Sequence, residues 1–170
     1  MIASIFAVDA NGGLGKDGTL PWPKDREDLL WFKSNTTGHV VVMGRNTWED
    51  PMMPKPLPNR INAVVTSRSD LQLADKINAC IEGDKLESTI KDLETYYRTT
   101  RTIWIIGGAQ LLKSTSHLVK QVYLTRFDKS YDCDVTLDIE KYLENFELVS
   151  EIPGKDKRFQ IYHAKLSKSS

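Results

Sequence analysis

Few of the features that mark specialised classes of protein occur in this chain. Of its 170 residues only two are cysteines, Cys80 and Cys133, and neither lies in a CxxC or His-rich segment. A disulfide framework and a zinc site are therefore not expected, and two separate thiols suit a reducing compartment. No sign of charge is in excess, because 23 Lys and Arg stand against 23 Asp and Glu. With no basic stripe either, nucleic acid is not an expected partner. Long apolar runs are missing. The first, Ile2 to Val8, stops at Asp9 without a basic lead, too short for a secretory signal core and far short of the roughly 20 residues that span a bilayer. A soluble, cytoplasmic monomer, away from membranes, is the expectation. Repeats, low-complexity tracts and linkers are also lacking.

What remains is an ordinary globular composition, 40% hydrophobic and 27% charged, long enough for one domain with a real core. Residues 2–8 read as a buried strand, as do HVVVM at 39–43, NAVVT at 62–66, a short stretch at 76–81 and TIWII at 102–106. Between them lie helical patterns: Asp25 to about Asn35, a short turn after Gly44 cut off at Pro51, Lys85 to Arg98 with Leu86, Ile90, Leu93 and Tyr97 on one face, and Ala109 to about Ser116. From Val119 onward strands dominate, in VYLTRF, FELVSEI and FQIYHAKL, and Pro153-Gly154 reads as the hairpin turn between the last two. The tail Ser167 to Ser170 is expected to fray. Alternating strands and helices followed by hairpin strands predict an α/β sandwich: a mostly parallel sheet with an antiparallel edge.

Three places bear chemistry. TIWII ends in Gly107-Gly108 before a helix, a turn at which bare backbone admits a phosphate to helix N–H groups; a plain tight turn explains the pair as well. Gly44-Arg45-Asn46-Thr47 repeats the arrangement and adds a guanidinium fork, although an isolated Arg is also a common solvated surface residue. No GxGxxG follows the first strand, so the ordinary dinucleotide fingerprint is absent. Asp28, three residues after a capping Asp25, has a structural reading as a first-turn carboxylate. Leu29 and Phe32 give it an apolar setting, however, and a carboxyl on such a face needs a partner or a task.

Seven segments then stand in one order: GKDGTLPW at 15–22, DLLWFK at 28–33, MGRNTWE at 43–49, PLPNR at 56–60, VTSR at 65–68, IIGGAQLL at 105–112 and VYLTRF at 122–127. In order and near-spacing they resemble the dihydrofolate reductases, and the likeness runs from residue 1 to about 165. The resemblance implies a three-layer sandwich with a sheet of about eight strands, mostly parallel with an antiparallel C-terminal strand, and about four flanking helices. It also implies one domain over 1–168 with an adenosine-binding subdomain at roughly 39–107. The implied reaction is NADPH-dependent reduction of 7,8-dihydrofolate by hydride transfer to C6 and protonation of N5, with no metal.

By the same resemblance Asp28 is the one ionisable group in the pterin pocket, with Trp22 and Thr125 ordering its proton network, and burial should raise its pKa. Ile5, Leu29, Phe32, Leu57 and Ile106 would wall the substrate, and Arg60 would pair with its glutamate tail. NADPH would be held by Ala7, by Gly13, Leu14, Gly15, Lys16, Asp17, Gly18 and Thr19, by Gly44, Arg45, Asn46 and Thr47, and by Gly107, Gly108, Ala109, Gln110, Leu111 and Leu112. Thr66, Ser67 and Arg68 would join Arg45 around the 2′-phosphate.

The chain departs from the family pattern in places. Leu112 stands where an aromatic is usual, Lys55 where an Arg often lies, and Cys133 before Asp134 where Gly-Asp is frequent. One residue is added after Trp22 and about two near 50–55. A reductase of the same fold acting on another heterocycle, or a non-catalytic descendant, would not be expected to keep Trp22, Asp28 and Arg60 together. Finally, four glycines in the ten residues 9–18 suggest a loop of high backbone freedom, and the resemblance implies that it lies beside the nicotinamide and closes over the reacting rings. The family usually carries a larger residue at the position of Gly13, so Gly13→Val, where the backbone angles permit it, is expected to favour closure and tighten NADPH binding.

Overall fold

In the computed structural model, residues 1–66 and 78–166 are described. β1 (Ile2–Val8) lies in the interior of an eight-stranded sheet, and its run of apolar residues suits a strand covered on both faces. α1 (Arg26–Thr36), β3 (Val40–Gly44), α2 (Arg45–Trp48), β4 (Ile61–Val65) and β5 (Ala79–Ile81) carry the chain to one edge. α3 (Leu86–Tyr97) then returns it so that β6 (Ile103–Gly107) inserts between β3 and β1. After α4 (Ala109–Thr115), β7 (Gln121–Phe127) joins the other side of β1. The neighbours from β5 through β4, β3, β6 and β1 to β7 are all parallel. β10 (Lys157–Ala164) runs antiparallel between β7 and the edge strand β9 (Phe146–Gly154).

Each face of the sheet buries its own cluster. Val40, Val42, Ile103, Ile105 and Leu124 pack with Leu111, Leu112 and Ile90, under α3 and α4. On the opposite face Ala3, Ile5, Val41, Met43 and Trp104 pack with Trp48 and Leu57, and Trp31 and Phe32 of α1 lean against them. This is the three-layer arrangement expected from the sequence.

Local details differ from expectation. The last hairpin turns at Lys155-Asp156, where Asp156 takes φ 61, while Pro153 and Gly154 pair with Arg158 and Lys157 inside the ladder. Proline is tolerated there because β9 is an edge strand. The strand sought at 76–81 is described only as β5, and residues 76 and 77 lie outside the described segment, as does the tail 167–170. Two elements escaped periodicity altogether. α5 (Ile139–Tyr142) is a single turn, capped by the Asp138 side chain at 3.2 Å from the Lys141 amide. A small antiparallel ladder joins β2 (Gly13–Gly15) to β8 (Val135–Thr136).

Candidate active site

Open α/β sheets bind ligands outside the carboxyl ends of their parallel strands, and the residues singled out from the sequence gather there. Ala7 is the last residue but one of β1, Gly44 ends β3, Thr66 follows β4, Gly107 ends β6 with Gly108 capping the next helix, and Thr125 nears the end of β7. Ala7 and Thr125 are register partners, as are Ile5 and Tyr123, so one face of adjoining strands presents Ile5, Ala7, Tyr123 and Thr125.

Over that face stands the first turn of α1. Asp25 caps the helix, its Oδ1 accepting the Asp28 amide at 2.9 Å. Thr125 Oγ1 donates to Asp28 Oδ1 at 2.7 Å. Burial pushes the Asp28 carboxyl up to about 6, the Thr125 hydrogen bond pulls against this, and the nearby charge of Asp25 adds to it. The sequence-based expectation of a raised pKa by desolvation thus has its physical cause in place. Trp22, 6% exposed, packs on Phe127 with ring centroids 4.5 Å apart and meets Tyr131 at 6.2 Å.

Ile5, Phe32, Leu57 and Ile106 belong to one apolar cluster beside Asp28's helix, and Leu29 remains 42% exposed at its rim. Arg60 is fixed at the far end of Phe32. Its guanidinium carbon lies 5.7 Å from the ring centroid, Nε donates to the Pro58 carbonyl at 2.9 Å and Nη1 to Thr36 Oγ1 at 3.1 Å. The loop that delivers Leu57 and Arg60 is pinned by Asn62, which periodicity reads only as part of a strand. Fully buried, Asn62 accepts the Leu57 amide at 3.0 Å and donates to the carbonyls of Leu57 and Arg60. An amide heading an apolar strand was the available signal, since a buried polar group must be satisfied.

The two strand-to-helix turns lie side by side. A Cβ added at Gly44 would sit 3.6 Å from the Gly107 carbonyl oxygen, and the Thr47 hydroxyl faces both Gly107 and Gly108. At Gly107, whose φ is 126, and at Gly108, an added Cβ would meet nothing closer than Thr47 Oγ1, at 3.8 and 4.0 Å. The peptide between them is cis. A Cβ would thus fit at each without collision, and the two turns present bare backbone to each other and to Thr47. Arg45 Nε is held by Glu49 at 2.8 Å and Nη1 lies 3.4 Å from Thr66 Oγ1. Asn46 and Gln110 are exposed and Ala109 is half-buried. Leu111 and Leu112 turn their side chains into the core, Leu112 with no exposure at all, so only their backbone faces the glycine turn. Ser67 and Arg68 lie outside the described residues.

The glycine-rich segment is built into the fold more firmly than its composition suggests. Asp9, 3% exposed, accepts the Gly13 amide at 2.7 Å, the Asn11 amide at 2.9 Å and the Tyr131 amide at 2.8 Å, while Cys133 Sγ lies 3.4 Å away as a donor. Burial would raise its pKa, but these backbone donors outweigh burial and lower it. Asp134 continues the tie, donating its amide to the Gly15 carbonyl and accepting from the Asp17 amide, each at 3.0 Å. Lys16 reaches Asp132 at 3.5 Å. Lys16 and Thr19 bridge a tight turn in which Asp17 and Gly18 have φ 51 and 81, and Leu14 packs against the core. The expected effect of Gly13→Val is overturned here. A Cβ at Gly13 would lie 2.2 Å from Cys133 Sγ and 2.9 Å from Asp9 Oδ1, so close approach, not backbone freedom, explains this glycine.

Fold and site together define an α/β protein with paired glycine turns at the carboxyl ends of a doubly wound sheet and, among the described residues, a carboxyl of clearly raised pKa at Asp28. The dihydrofolate reductase family pattern matches residues 1–168. The chain is 36% identical to a dihydrofolate reductase of Bacillus subtilis, over 93% of this chain and 88% of the relative. It is 32% identical to a type 8 dihydrofolate reductase of Escherichia coli, over 85% and 84%. Among solved structures, a dihydrofolate reductase from Enterococcus faecalis, complexed with NADP(H) and RAB-propyl, superposes with a TM-score of 0.80 at 28% identity, covering 96% of each chain. This chain belongs to the dihydrofolate reductase family.

Among the described residues no helix is long and apolar enough to cross a membrane, and no cluster of metal-ligating side chains occurs.

Proposed function

We propose that this protein reduces 7,8-dihydrofolate to 5,6,7,8-tetrahydrofolate with NADPH, with Asp28 as the source of the proton for N5. The observation that carries the reading is the half-buried Asp28, hydrogen-bonded to Thr125 and titrating near 6, above an apolar wall that ends in Arg60. The cofactor, when bound, supplies the hydride.

The residues fit their tasks. Ile5, Leu29, Phe32, Leu57 and Ile106 hold a flat ring by apolar contact and exclude water. Asp28 hydrogen-bonds the pterin and, protonated below about pH 6, delivers a proton towards N5 with Trp22 and Thr125 ordering the path. Arg60 meets the tail carboxylate. Gly44, Gly107 and Gly108 leave room for the pyrophosphate, flanked by Ala7, Asn46, Thr47, Ala109, Gln110 and the backbone of Leu111 and Leu112. Arg45 and Thr66 are assigned to the 2′-phosphate together with Ser67 and Arg68, which lie outside the described residues, and residues 13–19 to the nicotinamide end. We further assign one domain over 1–168 with an adenosine-binding part at about 39–107, a monomeric state, a cytoplasmic location and no nucleic-acid partner. The direct test is loss of NADPH absorbance on adding dihydrofolate, and a chain that binds NADPH but leaves that absorbance unchanged is not this enzyme.

Arg60→Lys is expected to weaken dihydrofolate binding by about ten- to a hundred-fold, with NADPH affinity within about two-fold, because a point charge replaces an oriented fork. Equal losses in paired equilibrium titrations would remove Arg60 as the tail anchor. Arg45→Ala is expected to narrow the preference for NADPH over NADH by about ten-fold, through a higher NADPH dissociation constant. An unchanged ratio would place the phosphate on other groups, Arg68 first.

A further inference from the structure

Trp31 and Phe32 pack the middle of α1 on the sheet, whereas Leu29 and Leu30 beside Asp28 are 42% and 65% exposed. The turn that carries Asp28 is tied to the sheet by Lys157, the first residue of β10, whose side chain is only 2% exposed. Lys157 Nζ donates to Glu27 Oε1 at 2.6 Å and to the Lys155 carbonyl at 2.5 Å, and lies 3.1 Å from Asp25 Oδ2. These partners account for the three N–H groups of an ammonium. The Lys155 amide also donates to Glu27 Oε1, at 3.0 Å. Burial on its own would lower the Lys157 pKa, but the pairs with Glu27 and Asp25 outweigh it and raise it, so the ammonium stays charged.

The ion pair leads directly to Asp28. One oxygen of Asp25 holds Lys157 while the other accepts the Asp28 amide. On its other side Lys157 lies 5.9 Å from the centroid of the Phe127 ring, the ring that packs on Trp22. A buried cation with two carboxylate partners is costly unless the geometry is good, and here both partners, Asp25 and Glu27, lie within the three residues before the proposed acid.

We propose that Lys157 is a positioning residue for the reaction. It clamps the first turn of α1 onto the ends of β7 and β10, so that Asp28 meets Thr125 and the substrate ring, and it offsets the carboxylate charge beside Asp28. The inference rests on Asp28 being the acid. The charged groups bearing on Asp28 are Asp25 from the helix cap, which favours its protonated form, and Lys157 from β10, which favours the ionised form; β7 contributes the Thr125 hydroxyl. Glu27 on the same helix turns to Lys157 and Lys155.

The experiment is the pH profile of turnover for the full-length Lys157→Met, Lys157→Arg, Asp25→Asn and Asp28→Asn proteins, with NADPH affinity and melting temperature alongside. Lys157→Met should move the inflection up by about 0.5–1 pH unit and lower the low-pH plateau of turnover several-fold, with NADPH affinity within about two-fold. Lys157→Arg should restore the wild-type inflection. Asp25→Asn keeps a capping side chain and removes a negative charge, so its inflection should move down. A lowered melting temperature with an unmoved inflection in Lys157→Met would reduce Lys157 to a structural role and overturn the proposal. If Lys157→Met does not fold, an unmoved inflection in Asp25→Asn overturns it equally. Asp28→Asn separates the two readings. Should it retain the wild-type inflection, Asp28 is not the acid. Should it abolish the inflection while Lys157→Met and Asp25→Asn leave theirs in place, only the role of Lys157 fails.

Discussion

Replacing Asp28 by Asn is expected to cut turnover at neutral pH by about a hundred- to ten-thousand-fold, the range for loss of a positioned general acid. The fold should survive, because Asn keeps an oxygen for the Thr125 hydroxyl, and the Asp28 amide that caps on Asp25 is untouched. In the wild-type protein the chemical step should slow as pH rises through about 6, where Asp28 gives up its proton. In Asp28→Asn that inflection should vanish, and the residual rate should climb as pH falls and solvent protonates the substrate. Stability should move the opposite way. Desolvation lifts the folded-state pKa of Asp28 from 3.8 to about 6, so the carboxyl's favourable contribution is complete below pH 4 and is lost as pH rises through 6. Asn carries no such loss. Above pH 7 Asp28→Asn should therefore be more stable by on the order of 1–3 kcal/mol, and the gain should fade towards pH 4. Near-wild-type turnover at neutral pH would sink the assignment of the acid, and equal melting behaviour at both pH values would sink the desolvation account.

Gly13→Val is expected to raise the NADPH dissociation constant by about ten-fold or more, the consequence of on the order of 1–3 kcal/mol of overpacking. The valine Cβ would collide with Cys133 Sγ and press on Asp9 Oδ1, the oxygen that accepts both the Gly13 and Asn11 amides. Cys133 cannot simply turn aside without leaving Asp9. Burial and the neighbouring Asp9 charge push its thiol up to about 11, so it sits there as a protonated donor. A second change should reveal the cause: Gly13→Val with Cys133→Gly removes the obstructing atoms and should recover most of the affinity. Titration of all three proteins decides the matter. If the single variant binds NADPH as tightly as the wild type, the collision is absorbed elsewhere and the packing argument is wrong.

The contrast between these two positions shows what one dimension of information supports. The strands, the three layers, the glycine turns at 44 and 107–108 and the setting of Asp28 were legible because apolar runs, helical spacing and bare glycines are local signals. Phe32 one turn on from Asp28 marks the side of α1 that meets the sheet, although Leu29 beside it stays exposed and the cover over Asp28 comes from Thr125 on β7. The β2–β8 ladder, the α5 turn and the Asn62 anchor were not legible, since short elements have no period and their partners lie far along the chain.

Sequence by itself determined the order of elements, the family pattern over residues 1–168 and a raised pKa at Asp28. Only the tertiary structure decided why Gly13 is glycine, which residues hold the 9–19 segment, and that Lys157 on β10 grips Asp25 and Glu27. The reason is sequence separation. Cys133 lies 124 residues from Asp9, and Lys157 lies 130 from Glu27. Contacts over such spans leave no periodic trace in composition, and they exist only after the sheet has brought β10 beside β7 and β8 against β2.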